Sequence, residues 1–340
     1  SYPFVLLTAP FSRRGVPRAL AREVDAVPAQ TSRSCGGGNG SEPFRLLVVD
    51  DDQGICDVLG AALSRRYDVT TVTDSERALQ MCRDGAFHMV VSDINMPRLN
   101  GIDLVSEVRR LCPSTIPVLM TGYDINTYLS QVLERGIANI ITKTAPFNFT
   151  EIETELDGLL TGSIFGLSRY LLDDHEILRR YEVCSSEESR RVRKEIAQLF
   201  TERFGSARDV ELVVDEIVSN AVYHAPVLPD GSPKYEDLSD VQLEADDYIT
   251  VECGADSEKY GVSVADNSGR LTKETVLERI ERHVSGKGLA DRRGRGIHIT
   301  RMLSDRMIIN IKRGKRTEVV LLNYFTAKYR GFKPLYINEV

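Results

Sequence analysis

The sequence lacks the features that would indicate a membrane segment, a disulfide framework or a P-loop nucleotide site. No apolar run approaches the roughly 20 residues that a transmembrane helix needs. The cysteines are scattered, without a CxxC pair or a Cys/His cluster, which is typical of reduced thiols in a cytosolic protein. No GxxxxGK(S/T) motif occurs, so a P-loop site is excluded. We therefore expect a cytoplasmic protein with no membrane partner.

The chain also lacks the excess of basic residues that is typical of nucleic-acid-binding proteins. Its 43 Lys and Arg residues are outnumbered by 50 Asp and Glu residues, which gives a net charge of -7. This balance argues against a nucleic-acid-binding surface that covers the molecule, so we expect no direct nucleic-acid partner. A length of 340 residues suits two domains joined by a linker.

The first forty residues differ in composition from the rest. Residues Phe4 to Leu7 are too short for a signal-peptide core and follow no basic stretch. Residues Thr31 to Ser41 include a Gly-rich tract that buries too little apolar surface to become ordered. Residues 1–42 are therefore predicted to be a disordered leader.

From Phe44 onward, short apolar runs alternate with amphipathic helical stretches. The predicted strands are Arg45–Val49, Asp68–Thr73, Met89–Ser92, Pro117–Met120 and Ala138–Thr142. The predicted helices are Gly54–Arg65, Ser75–Asp84, Ile102–Leu111 and Ile125–Glu134. This alternation predicts an α/β domain with a doubly wound, parallel five-stranded sheet, whose ligand site lies at the carboxyl ends of the strands.

Charged and hydroxyl side chains occur at those strand ends. They are Asp50 and Asp51 after the first strand, Asp93 after the third, Thr121 after the fourth and Lys143 after the fifth. Carboxylates that converge on one edge would repel each other unless a hard cation such as Mg²⁺ bridged them. A carboxylate held against Mg²⁺ can attack a phosphoryl group while a Lys and a hydroxyl stabilise the transferred oxygens. The alternative is a solvated acidic loop, with Asp93 as a turn residue.

Four motifs in this region resemble the receiver domains of bacterial response regulators. They are Leu-Val-Val-Asp-Asp-Asp ending at Asp52, Ser-Asp-Ile-Asn-Met-Pro around Asp93, Met-Thr-Gly around Thr121, and Thr-Lys ending at Lys143. The resemblance implies a flavodoxin-like fold and an upstream histidine kinase or other phosphodonor.

By this resemblance Asp93 is the phosphoacceptor and, with Asp50 and Asp51, ligates Mg²⁺. Thr121 and Lys143 would contact the phosphoryl group. Two departures from the receiver pattern concern the switch rather than the chemistry. Ile140 occupies the usual position of an aromatic switch residue, and Thr144 and Ala145 intervene before the Pro that usually follows the Lys directly.

The second half carries three different motifs. Glu216 and Asn220 are spaced i, i+4 on a predicted helix, so they lie on one face. A predicted strand ends in Asp266-Asn-Ser-Gly269, where a buried Asp can accept a hydrogen bond from an adenine amino group. A Gly-rich cationic loop follows and leads into a helix, whose start is suited to phosphate binding. Its marked residues are Gly286, Gly288, Arg293, Gly294 and Gly296.

Together with Thr317, these motifs resemble the GHKL ATP-binding fold, an α/β two-layer sandwich, and are most similar to its anti-sigma serine kinase branch. The resemblance implies that Glu216 is the catalytic base and that Asn220 holds Mg²⁺. Asp266 and Gly269 would contact adenine, residues 286–296 would form the lid over ATP, and Thr317 would lie near the nucleotide. Arg316, where a Gly is usual, and the Pro- and Asp-rich insertion Pro226–Asp247 depart from the pattern.

These patterns predict a leader (1–42), a receiver domain (43–160), a linker (161–175), an ATP-binding kinase domain (176–326) and a C-terminal tail (327–340). The expected function is two-component signalling, in which the receiver regulates a serine/threonine protein kinase that uses ATP and Mg²⁺. The expected partner is a protein substrate or a sequestered protein, such as an anti-anti-sigma or sigma factor.

Two other interpretations remain open. One is a module that binds ATP and sequesters its partner without catalysis. The other is a histidine kinase-like ATPase that uses His175. A homodimer is also left open.

Overall fold

The computed structural model describes residues 42–85, 87–122, 127–137, 139–144, 147–205, 210–228, 230, 232–235, 239–284, 295–326 and 335–340. The side chains of residues 283, 284 and 295 are not part of that description. The predicted disordered leader, apart from Glu42, lies outside the described residues.

The N-terminal part is a doubly wound sheet, as predicted. Its elements, in chain order, are β1 (Arg45–Val49), α1 (Gln53–Leu63), β2 (Asp68–Val72), α2 (Ser75–Asp84), β3 (Met89–Asp93), α3 (Gly101–Leu111), β4 (Ile116–Thr121), α4 (Leu129–Glu134), β5 (Asn139–Thr142) and α5 (Phe149–Thr161). All neighbouring strands are parallel, in the order β2-β1-β3-β4-β5. This is the flavodoxin-like order, in which the ligand site lies at the carboxyl ends of the strands.

Alternating side chains of β1 explain why this sheet is covered on both faces. Leu46 and Val48 belong to one buried apolar cluster, and Leu47 and Val49 belong to another on the opposite face. Side-chain caps specify the starts of helices α1, α2, α3 and α5. Asp52 caps α1 by accepting a hydrogen bond from the Gly54 amide at 2.7 Å.

The C-terminal part is a second sheet with helices packed on it. Its elements are β6 (Glu176–Val183), α6 (Ser186–Phe204), α7 (Val210–His224), β7 (Ile249–Ala255), β8 (Lys259–Asp266), α8 (Lys273–Val284), α9 (Arg295–Leu303), β9 (Arg306–Lys312), β10 (Arg316–Tyr324) and β11 (Leu335–Glu339). The strand order is β11-β9-β10-β8-β7-β6. All pairs are antiparallel except β11 with β9. The result is an α/β sandwich of the predicted kind.

Both faces of this second sheet are apolar in its middle. Met307 and Ile309 of β9 join the core formed with α6 to α9, whereas Ile308 between them joins a cluster that contains Ile152 and Leu156 of α5. Helix α5 therefore contributes to a core that is shared by the two sheets. The burial of β9 on both faces explains its continuous hydrophobic sequence.

The predicted linker 161–175 is not an exposed connection. Helix α5 ends at Gly162, which has the positive φ of 70° typical of a helix C-terminus. Ile164, Leu167 and Tyr170 are then buried, with Leu167 and Tyr170 in the shared core. Residues 43–340 accordingly form one compact unit. The two predicted domains are therefore joined by a core and not only by a tether.

The predicted C-terminal tail is also partly structured. Residues Leu335–Glu339 form β11, which pairs in parallel with β9, and Leu335, Tyr336 and Ile337 are each at most 3% exposed. The predicted helix Ile125–Glu134 is described only from Leu129 onward, as α4. Strand β11 was not predicted, because residues 327–334 separate this short strand from the recognisable motifs before it.

Candidate phosphoacceptor and nucleotide sites

The strand order brings the first set of predicted residues together. Asp50 follows β1, Asp93 ends the neighbouring β3, and Lys143 follows β5. The Lys143 Nζ donates hydrogen bonds to the carboxylates of both Asp50 and Asp93. Burial alone would lower the pKa of Lys143, but these carboxylates outweigh it and raise that pKa. The ammonium group therefore stays charged beside Asp93, where a transferred phosphoryl group would need a cation.

The predicted magnesium ligands are not equally placed. Asp50 and Asp93 are 2% and 8% exposed, whereas Asp51 is exposed to solvent. Burial raises the pKa of the Asp50 carboxyl, although the contact with Lys143 opposes this. Within the described ranges no three His, Cys, Asp or Glu side chains form a metal-binding group. Because Mg²⁺ binds carboxylate oxygens and retains waters, the exposure of Asp51 does not conflict with its predicted role, and Asp50, Asp51 and Asp93 could together hold the ion.

Thr121 lies at the same edge of the sheet. It ends β4 and is 1% exposed, and its carbonyl accepts a hydrogen bond from the Lys143 amide at 2.8 Å. That backbone contact fixes the start of the segment that carries Lys143. Ile140, at the position of the usual aromatic switch, is 3% exposed and belongs to the apolar core.

Asn95 and Tyr128 form a hydrogen-bonded pair next to Asp93 that the sequence did not predict. The Asn95 amide donates to the Asp93 Oδ2 at 2.6 Å. The Asn95 side chain contacts the Tyr128 hydroxyl twice, through Nδ2 at 2.6 Å and Oδ1 at 2.8 Å. Tyr128 is half-buried and directly precedes α4. The pair thus links the predicted phosphoacceptor to the start of that helix.

The second site is a cavity of about 150 Å³ between α7, α8, α9 and the C-terminal sheet. Its polar walls include Asn220, His224, Asp266 and Thr317. Its apolar walls come from side chains such as Ile217, Ile297 and Ile309. An apolar cavity with a few convergent polar groups is the usual form of a small-molecule site.

Asp266 lies at the end of β8 and faces this cavity. Burial raises the pKa of its carboxyl, although hydrogen bonds from Ser268 and Gly269 oppose the shift. The Ser268 amide donates to the Asp266 Oδ1 at 2.9 Å. Thr317 stands opposite Asp266 in the β8–β10 register, and its buried Oγ1 has no hydrogen bond of normal geometry to the described residues. A ligand with a polar edge could give the Thr317 hydroxyl a partner and also contact the Asp266 carboxylate.

Gly269 has a role that the sequence analysis did not assign. Its φ is 58°, and a Cβ at this position would lie 2.4 Å from the Lys312 carbonyl oxygen and 2.4 Å from the Lys315 amide nitrogen. The Gly314 amide also donates to the Gly269 carbonyl at 3.0 Å. The glycine is thus required by the close approach of the β9–β10 hairpin, in addition to any contact with adenine.

Glu216 and Asn220 lie on one face of α7, and their side chains contact the first turn of α9. A Cβ at Gly296 would lie 2.5 Å from the Glu216 Oε2 and 3.0 Å from the Asn220 Nδ2. Gly296 therefore allows the first turn of α9 to approach both side chains. Since a helix start attracts negative charge, this junction is suited to phosphate groups. Gly286, Gly288, Arg293 and Gly294, predicted to complete the phosphate contacts, lie outside the described residues.

Arg279 of α8 is a further cavity residue that the sequence motifs did not indicate. It lines the cavity with Thr275, and among the described residues it makes no ion pair or side-chain hydrogen bond. Burial lowers the pKa of its guanidinium group. A partly buried cation without a protein partner is costly, so this position favours an anionic ligand.

The cavity residues fit a magnesium-bound nucleotide. Asp266 and the buried Thr317 hydroxyl are suited to the polar edge of an adenine ring. Asn220 could supply an oxygen ligand to Mg²⁺, and Arg279 and the start of α9 could balance phosphate charge.

Comparison with known families identifies the two halves. The model of the response regulator receiver domain matches residues 46–157. The model of the histidine kinase-like ATPase domain matches residues 184–323. The chain joins a receiver domain to a histidine kinase-like ATPase domain. The order of the two domains is the one that the motifs predicted, and no described helix is both long and apolar enough to cross a bilayer.

The matches to similar proteins cover only part of the length of each relative. A transcriptional regulatory protein CpxR homolog of Haemophilus influenzae is 34% identical over 123 residues, which is 35% of this chain and 51% of that protein. The transcriptional regulatory protein ZraR of Escherichia coli is 29% identical over 116 residues, 34% of this chain and 26% of that protein. This chain thus spans about half or less of these relatives. Among solved structures, a CheY-like receiver domain protein from Methanospirillum hungatei is similar to this chain, with 24% sequence identity and a TM-score of 0.33. The match covers 36% of this chain and 96% of that protein's chain.

Proposed function

We propose that the receiver domain is phosphorylated on Asp93 and regulates the ATPase domain, which acts as an ATP-dependent serine/threonine protein kinase of the anti-sigma type. The two family matches support two-component signalling with a phosphodonor as partner. The observation that carries the finer proposal is the junction of Glu216 and Asn220 with the first turn of α9, beside a cavity that contains Asp266.

At the receiver site, an Asp93 carboxylate oxygen forms the new bond to phosphorus. The bond between phosphorus and the donor breaks, and the donor leaves with that electron pair. Lys143, which already bonds Asp93, would then stabilise charge on the transferred oxygens. Asp50, Asp51 and Asp93 would hold a Mg²⁺ ion, which when bound supplies positive charge beside the transferred oxygens.

At the nucleotide site, Glu216 would accept the proton of a serine or threonine hydroxyl on the partner protein. That oxygen forms a bond to the γ-phosphorus of ATP as the bond to the bridging oxygen breaks, and ADP leaves. Asp266 and Thr317 would hold the adenine ring, and Asn220 would hold Mg²⁺. Arg279 adds a positive charge to the same cavity.

The experiment is transfer of labelled phosphate from γ-labelled ATP to anti-anti-sigma-type proteins of the source genome. We expect acid-stable label on Ser or Thr with the wild-type chain and loss of transfer, but retained ATP binding, with Glu216→Ala. A stoichiometric complex with unchanged ATP would instead support the sequestering module. No transfer and no complex would reject both.

The geometry around His175 favours the serine/threonine proposal over a histidine kinase. The His175 Nδ1 lies 2.7 Å from the Leu172 carbonyl oxygen, and the residue directly precedes strand β6. A phosphoacceptor histidine on a dimerisation helix would have a different setting. Acid-labile label on His175 in the same assay would contradict this preference.

A further inference from the structure

Helix α4 of the receiver domain contacts helix α8 of the ATPase domain. The Ser130 Oγ lies 3.4 Å from the Glu281 Oε1 across this contact. Leu129 and Val132 of α4 belong to the same buried apolar cluster as Leu277 and Ile280 of α8. A packed apolar contact of this kind transmits a displacement of one helix to the other, because close-packed interiors deform little.

Helix α8 also borders the nucleotide cavity. Thr275 and Arg279 line that cavity, while Val276, Leu277 and Ile280 belong to the apolar cluster shared with α4. Positions 276 and 280 are one turn apart, as are 275 and 279, so the two sets occupy two stripes of one helix. A shift of α8 would therefore change the position of Arg279 in the cavity.

On the receiver side, α4 is linked to the phosphoacceptor by a short chain of hydrogen bonds. The Asp93 carboxylate accepts from the Asn95 amide, and the Asn95 side chain bonds the Tyr128 hydroxyl. Tyr128 precedes the first residue of α4 and provides no side-chain cap for it. Tyr128 also packs against the apolar cluster that contains α8 residues.

Helix α5 provides the fixed reference against which α4 can move. The buried Arg306 of the ATPase domain forms ion pairs with Glu151 and Glu155 of α5. Asn338 of β11 also donates to the Glu155 Oε2 at 2.8 Å. A rotation of the whole receiver domain would break these buried ion pairs, which is costly. Helix α4, with six residues and no side-chain cap, is the less constrained element.

We infer that the Asn95–Tyr128 pair and the α4–α8 contact couple phosphorylation of Asp93 to nucleotide affinity in the ATPase domain. This inference rests on the proposed function of both sites. Phosphorylation adds charge and acceptor oxygens beside the Asn95 amide. The Asn95 backbone reorients, the contact with Tyr128 changes, and α4 and α8 shift together. By linkage, bound nucleotide must change the affinity of Asp93 for a phosphoryl mimic by the same factor.

The test is calorimetric titration of the full chain with Mg-ATP, with and without beryllofluoride as the phosphoryl mimic at Asp93. We expect beryllofluoride to change the dissociation constant of ATP by about fivefold or more in the wild type, the lower end of typical coupling. In Tyr128→Phe, which keeps the ring and removes the hydroxyl, the change should fall below about twofold. The matched control is Tyr67→Phe, which removes a hydroxyl bonded to Asp157 of α5 and should keep the wild-type response.

The outcomes separate the inference from the proposed function. Absence of ATP binding to the wild type would reject the nucleotide site itself. ATP binding that beryllofluoride does not alter, although Asp93 binds the mimic, would overturn only the coupling. An unchanged response in Tyr128→Phe would overturn the route through Tyr128. A response lost equally in both Phe variants would also overturn it.

Discussion

Arg306 offers the most direct test of whether the two domains form one folding unit. Its side chain is 1% exposed, and it forms ion pairs with Glu155, also 1% exposed, and with Glu151 at 3.6 Å. It also stacks on the ring of Tyr336, with the guanidinium carbon 4.4 Å from the ring centroid. At an effective dielectric constant of about 20, the attraction between Arg306 and Glu151 at 3.6 Å is roughly 4–5 kcal/mol before the cost of desolvation. Removal of one partner of a buried pair costs about 3–5 kcal/mol.

We therefore expect Arg306→Met to lower the free energy of unfolding by about 3–5 kcal/mol. In the double variant Arg306→Met, Glu155→Leu, the free energy of unfolding should fall by less than the sum of the losses in the two single variants. Arg306→Met alone leaves both Glu151 and Glu155 without their buried cation, whereas the double variant leaves only Glu151. Urea denaturation followed by circular dichroism measures both effects.

The pH dependence adds a second signature. Burial raises the pKa of Glu155, and Arg306 opposes that shift. Without Arg306 the pKa rises further. A buried acid with a raised pKa stabilises the fold below its unfolded-state pKa and loses that contribution as pH rises. The cost of Arg306→Met should thus be larger at pH 8 than at pH 5. A cost below about 1 kcal/mol, or strictly additive single variants, would refute the reasoning.

Three further predictions concern the nucleotide cavity. Asp266→Asn should weaken Mg-ATP binding about tenfold or more in calorimetry, the worth of one hydrogen bond to a charged group. It should also raise the free energy of unfolding at pH 7, because burial raises the pKa of Asp266 and its ionisation opposes folding; a destabilised variant would contradict this. Gly269→Ala should lower the free energy of unfolding by about 2–4 kcal/mol, since its Cβ would meet two backbone atoms at 2.4 Å; Gly314→Ala, at φ 65° with no atom within 4 Å, is the control and should cost less. Arg279→Gln should weaken ATP binding several-fold more than adenosine binding, because only ATP carries phosphates; equal losses would show that Arg279 does not face them.

The sequence predicted that Asp50, Asp93 and Lys143 lie close together, because topology determines their convergence. In a parallel sheet the carboxyl ends of β1, β3 and β5 meet at one edge, so Asp50, Asp93 and Lys143 were expected to converge from strand assignment alone. Asp51 was expected at the same edge, and its side chain is exposed there whereas that of Asp50 is buried. The pattern of consecutive acids does not reveal which of them turns inward after the strand.

Other features depended on packing between distant segments and could not be predicted. Arg306 resembles any surface arginine in the sequence, and its burial arises only when α5 covers the second sheet. Strand β11 was missed because its pairing with β9 is not local. The Asn95–Tyr128 pair joins residues 33 positions apart. Gly269 was recognised by its motif, but the hairpin that requires it became apparent only in three dimensions.

Binding of Mg-ATP to the full chain tests the central claim most directly. Calorimetric titration should give one saturable site per chain, and Asp266→Asn should weaken it while ordinary circular dichroism is retained. If the folded wild-type chain showed no affinity for adenine nucleotides, the cavity between α7, α8 and α9 would not be a nucleotide site. The proposed kinase activity and its control by Asp93 would then both be contradicted.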